Sequence, residues 1–162
     1  MSGEIGRQKF REVMGNFATG VAVVTGVDPR GNPLGFTANA VTSVSLDPLL
    51  VLVAVDRDST SLPALLESGS FALSFLRARD RGLALRFARS ERDARFQGLA
   101  LREDVTGAPI LEQALAWVDC SIWKSVEAGD HLVVFGEVAG CGTQGHEDPL
   151  IFFQGRYGTI SP

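Results

Sequence analysis

Between Gly35 and Val55 the chain carries two adjoining patterns that few folds satisfy together. At a spacing of two, Phe36, Ala38, Ala40, Thr42, Val44 and Leu46 form one series, and Thr37, Asn39, Val41, Ser43 and Ser45 form the other. Successive side chains of an extended segment point to opposite faces, so one face is mainly apolar and the other carries hydroxyls and an amide. Neither series holds a charge. Short uncharged donors and acceptors suit a surface lying close to a polar ligand. After a turn at Asp47-Pro48, Leu49 to Val55 reads LLVLVAV, a run fit to be buried on both faces. A polar-lined strand beside a buried one predicts a site built on a rigid sheet.

The rest of the chain supplies strands and little helix. Phe10, Val13, Met14, Phe17 and Ala18 recur at three and four, which predicts a short opening helix ended by Thr19-Gly20. Val21 to Val27 is a β-branched strand, and the turn formers of Asp28 to Pro33 close a hairpin into the central stretch. Ser61 is a candidate N-cap for a helix through Leu66, with Pro63 tolerated in its first turn and Ser68-Gly69 ending it. Phe71 to Leu76, Trp117 to Val126, His131 to Ala139 and Leu150 to Phe153 read as strands, the last of them leading to Arg156-Tyr157. Ile110 to Ala116 is a brief helix or a strand approach. Six or so strands with a few brief helices predict an antiparallel barrel, not a parallel nucleotide-binding sheet.

Bulk properties exclude several classes. A chain of 162 residues fits one domain, here taken as 1–162. Its net charge of −4 and pI near 5.1 argue against nucleic acid as a partner. No apolar run reaches membrane-spanning length, and the start MSGEIGRQKF lacks a signal-like apolar region. Cys120 and Cys141 are too few for a disulfide framework and fit a reduced cytoplasm.

Candidate motifs are few. Gly140-Cys141-Gly142-Thr143-Gln144-Gly145 matches the glycine pattern of a dinucleotide turn, but His146 to Pro149 follow where that mechanism needs a helix, so it is read as a surface loop. Cys120, His131, Cys141 and His146 match no zinc spacing, and no metal is expected. No nucleophile elbow is present. Asp56 to Ser61 is a second hydroxyl cluster leading into a helix, where free N–H groups can hold a phosphate or be plainly capped. His131 opens an apolar strand after a turn, a place where histidine is more often a surface group than a catalytic one. Arg77 to Arg95 is rich in arginine, which makes it a solvated face or a surface toward phosphate.

With these residues in view, the sequence resembles the flavin reductase family, whose members have an FMN-binding split-barrel fold. The resembling segments are FATGVAVVTG (Phe17 to Gly26), GFTANAVTSVSLDPLLVLV (Gly35 to Val53), GSFALSFL (Gly69 to Leu76), GDHLVVFGEV (Gly129 to Val138) and PLIFFQGRYG (Pro149 to Gly158). The resemblance implies a mainly β, antiparallel Greek-key split β-barrel with a few short peripheral helices. It implies an NAD(P)H:flavin oxidoreductase that passes hydride from nicotinamide C4 to flavin N5 and supplies reduced flavin to a partner monooxygenase. FMN or FAD would be the flavin, NADH or NADPH the co-substrate, and a homodimer the assembly. Position by position, Thr37, Ala38, Asn39, Ala40, Ser43, Val44 and Ser45 would line the isoalloxazine and ribityl chain. Ser59, Thr60 and Ser61 would lie by the phosphate. His131, Arg156 and Tyr157 would face the nicotinamide nucleotide, with His131 orienting it. No obligatory catalytic side chain is implied, because the cofactor carries the reaction. Ala40 departs from the serine common in the family. Two other readings stay open: a non-catalytic flavin carrier on the same barrel, and an oxidase of the related pyridoxine-phosphate group.

Overall fold

Asp28 Oδ1 accepts hydrogen bonds from the N–H groups of Arg30 and Asn32, both at 2.9 Å, and Gly31 takes a φ of +82° between them. That turn closes the expected hairpin. In the computed structural model, which describes residues 5–89 and 91–160, the chain opens with α1 (Arg7–Met14) and β1 (Thr19–Gly20). The hairpin is β2 (Ala22–Val27) with β3 (Pro33–Ala38). Next come β4 (Val41–Leu46), β5 (Leu49–Asp56), α2 (Leu62–Ser68) and β6 (Ser70–Phe75). A 3-10 turn at Ala78–Asp80 enters α3 (Arg81–Arg89), and α4 (Arg92–Arg95) follows. The short pair β7 (Leu101–Arg102) and β8 (Ile110–Leu111) leads to β9 (Ala116–Ala128), β10 (His131–Thr143), β11 (Leu150–Phe153) and β12 (Arg156–Thr159).

Seven strands form one antiparallel sheet in the order β3-β2-β6-β9-β10-β5-β4. β3 and β4 are consecutive in sequence yet occupy its two opposite edges. Only Asn39 and Ala40 join them, and so few residues span roughly 10 Å at most. The sheet must therefore curl until its edges nearly meet, which makes a barrel split along one seam. At the link itself the Ala54 N–H donates to the Ala40 carbonyl at 3.0 Å, extending the β4–β5 ladder by one rung. The register of β10 against β9 shifts between Phe135 and Gly136, and such a bulge bends a strand inward. Gly136 is required there, because a Cβ would lie 2.6 Å from the ring of the buried Phe71.

Among the described residues the interior divides in three, the smallest part being Ala72, Ala108, Ile110 and Trp117. Val24, Leu34, Val53, Leu65, Phe71 and Val134 fill the barrel, while Val21, Leu76, Leu83, Phe87 and Leu150 form a second core beneath α3. β1 pairs with β11, so both ends of the chain share that second core.

Several expectations need correction. Phe36 to Leu46 is not one pleated strand: the break at Asn39-Ala40 is the seam, and the alternating faces do not run through it. Nor is Leu49–Val55 buried on both faces. Leu50, Val53 and Val55 are buried, whereas Leu49 is 48% exposed and Leu52 and Ala54 are half-buried. The stripe of α1 does not reach the core, since Phe10, Val13 and Met14 are all exposed. Leu150–Phe153 is followed by a further strand, β12, which contains Arg156 and Tyr157. Gly140 to Thr143 belongs to β10 rather than to a loop, and a Cβ at Gly142 would lie 2.9 Å from the Trp117 indole. Ser61 stands at the N-cap of α2 without a side-chain capping bond, and Gly69 at φ +72° ends the helix as expected.

Candidate functional site

A missing side chain on β3 sets the site's architecture. A Cβ at Gly35 would stand 2.8 Å from the Val24 carbonyl and 3.1 Å from the rings of both Phe87 and Phe96. Those rings meet edge-to-face, 5.0 Å apart at 88°, directly on the β3 backbone. α3 and α4 are thereby seated over the strand. Thr37 Oγ1 completes the attachment by donating to the Ala84 carbonyl of α3 at 2.6 Å.

Between this helical cover and the seam lies a polar cavity of about 460 Å³. Thr37, Ala38, Asn39 and Ala40 line one side, Asp56, Asp58, Ser59 and Thr60 another, and His131 and Arg95 complete it. Asp56 shapes the turn it begins: its Oδ1 accepts from the Asp58 N–H at 2.9 Å and its carbonyl from the Ser59 N–H at 3.0 Å. His131 Nδ1 lies 2.8 Å from Asp130 Oδ1. That contact, first as a hydrogen bond and then through charge, holds the exposed Asp130 carboxyl below its ordinary range.

Asn39, Ala40 and Ala54 also line a second, adjoining cavity of about 620 Å³. Met14, Phe17, Val41, Leu52 and Phe152 make its walls largely apolar, with Thr19 and Thr42 as hydroxyls. From the exposed stripe of α1, Met14 reaches it. An apolar chamber and a polar one meet at the seam.

The structure therefore gathers Thr37 to Ala40, Ser59, Thr60 and His131 around one cavity. It does not bring Ser43, Val44 and Ser45 there: β4 runs away along the sheet edge, and Val44 is 44% exposed. Ser61 is buried beneath the turn and lines neither cavity. Arg156 is exposed, and Tyr157 packs on Phe152 at 5.4 Å between ring centres, one ring removed from the apolar chamber. Thr37 faces the polar cavity with its hydroxyl proton already given to Ala84.

Sequence reasoning passed over Arg95, Asp56, Asp58, Leu52 and Met14 as site residues. The arginine run did signal a possible anion site, but no pattern distinguishes Arg95 from its neighbours. Asp119, fully buried, is spent elsewhere: it accepts from the Val105 and Thr106 N–H groups at 2.8 Å and from the Thr106 hydroxyl. Among the described residues no three His, Cys, Asp or Glu side chains converge to hold a metal, and no helix is long and apolar enough to cross a membrane.

Residues 14–161 match the flavin reductase-like domain family. A flavin reductase of Pseudomonas putida is 40% identical over 151 residues, covering 93% of this chain and 88% of that protein. HsaB of Rhodococcus jostii (strain RHA1), the reductase subunit of a flavin-dependent monooxygenase, is 37% identical over 155 residues, or 96% of this chain and 78% of that one. Among solved structures, the NADH:FAD oxidoreductase SgcE6 of Streptomyces globisporus C-1027, in complex with NAD and FAD fragments, superposes with a TM-score of 0.89. That pair is 35% identical, over 96% of this chain and 93% of the other. With a family match across nearly its whole length and the same split barrel, this chain belongs to the flavin reductase family.

Proposed function

We propose that the chain is an NAD(P)H-dependent flavin reductase that hands reduced flavin to a partner monooxygenase. The observation that carries this reading is the meeting of an apolar and a polar cavity at Asn39, Ala40 and Ala54. A flavin has a flat apolar ring system joined to a polyhydroxy chain that ends in phosphate, and the two cavities offer matching chemistry in series. Their volumes fall within the range of ligand sites. The bound flavin supplies the electron acceptance that no side chain here can supply.

The chain's own residues bind, orient and exclude water. Met14, Phe17, Leu52 and Phe152 supply apolar surface against which a flat ring packs. Asn39, whose amide donates to the Thr19 hydroxyl at 3.3 Å, has a second N–H to offer at the edge of the apolar chamber, where negative charge that develops on a bound ring is stabilised. Ser59 and Thr60 offer hydroxyls to the phosphorylated end. His131, its Nδ1 side engaged by Asp130, presents the rest of its ring to the cavity and orients the nicotinamide nucleotide. Holding two substrates at reacting distance is the protein's share of the catalysis.

We read residues 1–162 as one domain, since β1 and β11 pair and feed one core. A homodimer fits the exposed apolar side chains of Leu46, Leu49, Trp123 and Val126, which association would cover. A reducing cytoplasm fits two free cysteines.

The test is consumption of NADH and NADPH by purified protein with and without added FMN or FAD. Flavin-dependent oxidation of either nucleotide is expected. Flavin binding without oxidation would instead establish a carrier. In His131→Ala the nucleotide KM should rise while flavin affinity holds; an unchanged KM removes His131 from the site.

A further inference from the structure

Among the described residues, the apolar chamber has one ionisable side chain on its lining, Arg11 of α1. With Gly15 and Gly155, Arg11 also lines an adjoining recess bordered by Gln8, Glu12, Asn16 and Gln154. The Arg11 side chain has no hydrogen bond or ion pair among the described residues, and Glu12 is engaged by Lys9 at 3.2 Å. The end of α1 that carries Arg11 is fixed: the Gln154 N–H donates to the Gly15 carbonyl at 2.8 Å, and its side-chain amide donates to Asn16 Oδ1 at 2.8 Å. An exposed arginine is ordinary on a surface. One that is the sole charge on an apolar chamber is placed to meet a charge brought by a ligand.

We propose that Arg11 is a further catalytic residue of the reductase, supplying the positive charge that stabilises the reduced flavin ring. This rests on the flavin reductase reading above. Hydride transfer breaks the C4–H bond of the reduced nicotinamide and forms an N5–H bond on the flavin. The electron pair that moves with the hydrogen leaves the nicotinamide ring a cation and the flavin ring with one negative charge, held mostly at N1 and O2. The oxidised ring carries no such charge. A cation beside the ring therefore favours the product, and the transition state leading to it, over the starting complex.

The second N–H of Asn39 contributes a dipole to the same chamber, whereas Arg11 contributes a full charge. The pyrimidine end of the ring, which holds the carbonyls, faces Arg11, and the dimethylbenzene end packs on apolar wall. A guanidinium suits this task because it presents several planar donors and keeps its proton at any working pH. A simpler role competes. Arg11 sits in the last turn of α1, where a cation complements the helix dipole. That role bears on stability and leaves the relative affinity of two redox states of a ligand untouched.

The test measures dissociation constants of oxidised and of anaerobically reduced FMN and FAD, and the midpoint potential of the bound flavin, for the wild type, Arg11→Met and Arg11→Lys. In Arg11→Met the oxidised flavin should bind within about twofold of wild type and the reduced flavin roughly tenfold more weakly, the scale of one charge-assisted contact. That ratio lowers the midpoint potential of the bound flavin by about 30 mV. Arg11→Lys, which keeps the charge, should recover most of the difference. Retained affinity for oxidised flavin also reports that the variant is folded. Equal weakening of both redox forms would make Arg11 an ordinary binding contact, and an unmoved potential with a lowered denaturant midpoint would make it a helix-dipole charge; either overturns the assignment. Wild-type protein provides a second arm. Because Arg11 is exposed, added salt should lower the potential of bound flavin relative to free flavin, and a salt-independent difference refutes the proposal even if Arg11→Met does not fold. A wild type that binds neither FMN nor FAD overturns the flavin reading together with it.

Discussion

Arg95 reaches past a bare backbone position to bond the Gly35 carbonyl at 2.7 Å, and it can do so because Gly35 has no side chain to hold α3 and α4 away. The same glycine that admits Phe87 and Phe96 to the strand surface brings a guanidinium to the cavity. Core packing and the lining of the cavity are joined at this one residue.

Gly35→Ala follows directly. Its methyl would meet the Val24 carbonyl at 2.8 Å and two aromatic rings at 3.1 Å, and backbone cannot yield cheaply. Overpacking of this kind costs about 1–3 kcal/mol, to be read from the denaturant midpoint. Flavin affinity should fall in the same variant, since the cover over the cavity must lift. Unchanged midpoint and affinity together would show that α3 and α4 are not seated on this strand.

Thr37 makes the opposite prediction. Its hydroxyl is committed to Ala84, so Thr37→Val should lower stability by about 1 kcal/mol and leave flavin affinity near wild type. Thr37→Ser should restore most of the stability. A large loss of flavin affinity with intact stability would mean that this hydroxyl serves the ligand first.

The cysteines should differ sharply in reactivity. Burial, and secondarily the Asp119 charge, pushes the Cys120 thiol up to about 12 from its ordinary 9.0, whereas Cys141 is exposed. Thiol labelling of the native protein near pH 8 should therefore modify Cys141 alone, and denaturant should release Cys120. With the folded value above the unfolded one, the thiol's contribution to stability is intact below pH 9 and is lost as pH rises from there toward 12. Rapid double labelling of native protein would contradict the buried placement.

On the cavity's lining, His131 is held by Asp130 at 2.8 Å. Asp130→Ala should raise the KM for the nicotinamide nucleotide with little change in kcat, the signature of lost binding common to ground and transition states. The depressed carboxyl means the contact survives to pH below the ordinary aspartate range; what it contributes is present above the unfolded value and is lost as pH falls through the folded one. Carboxyl chemical shifts in an acid titration report this directly. An ordinary titration of Asp130 would show the pair to be unformed in solution.

Leu46, 87% exposed, and Trp123, 52% exposed, bear on assembly. Leu46→Arg should shift light-scattering mass from dimer toward monomer. A wild type already monomeric at micromolar concentration would remove the dimer from this account.

The order of strands, the turns and the family were legible in the residues themselves. Local chemistry produces them: Asp28 to Pro33 must turn, Gly69 must end a helix, and β-branched runs must extend. Asn39 and Ala40 read from the sequence as ordinary members of one continuous strand. Tertiary closure decided the rest. Alternation along a segment cannot show that β3 and β4 lie at opposite edges of a curled sheet, because curling depends on strands distant in sequence. For the same reason Ser43 and Ser45 read as members of one polar row while the fold carries them away from the cavity. Nor does a run of arginines reveal which one lines the cavity. Asp28, Glu147 and a handful of carbonyls take up several of their guanidinium groups, and the bare backbone of Gly35 sets where Arg95 comes to rest. Composition and periodicity are properties of neighbours along the chain, and this site is made from neighbours across it.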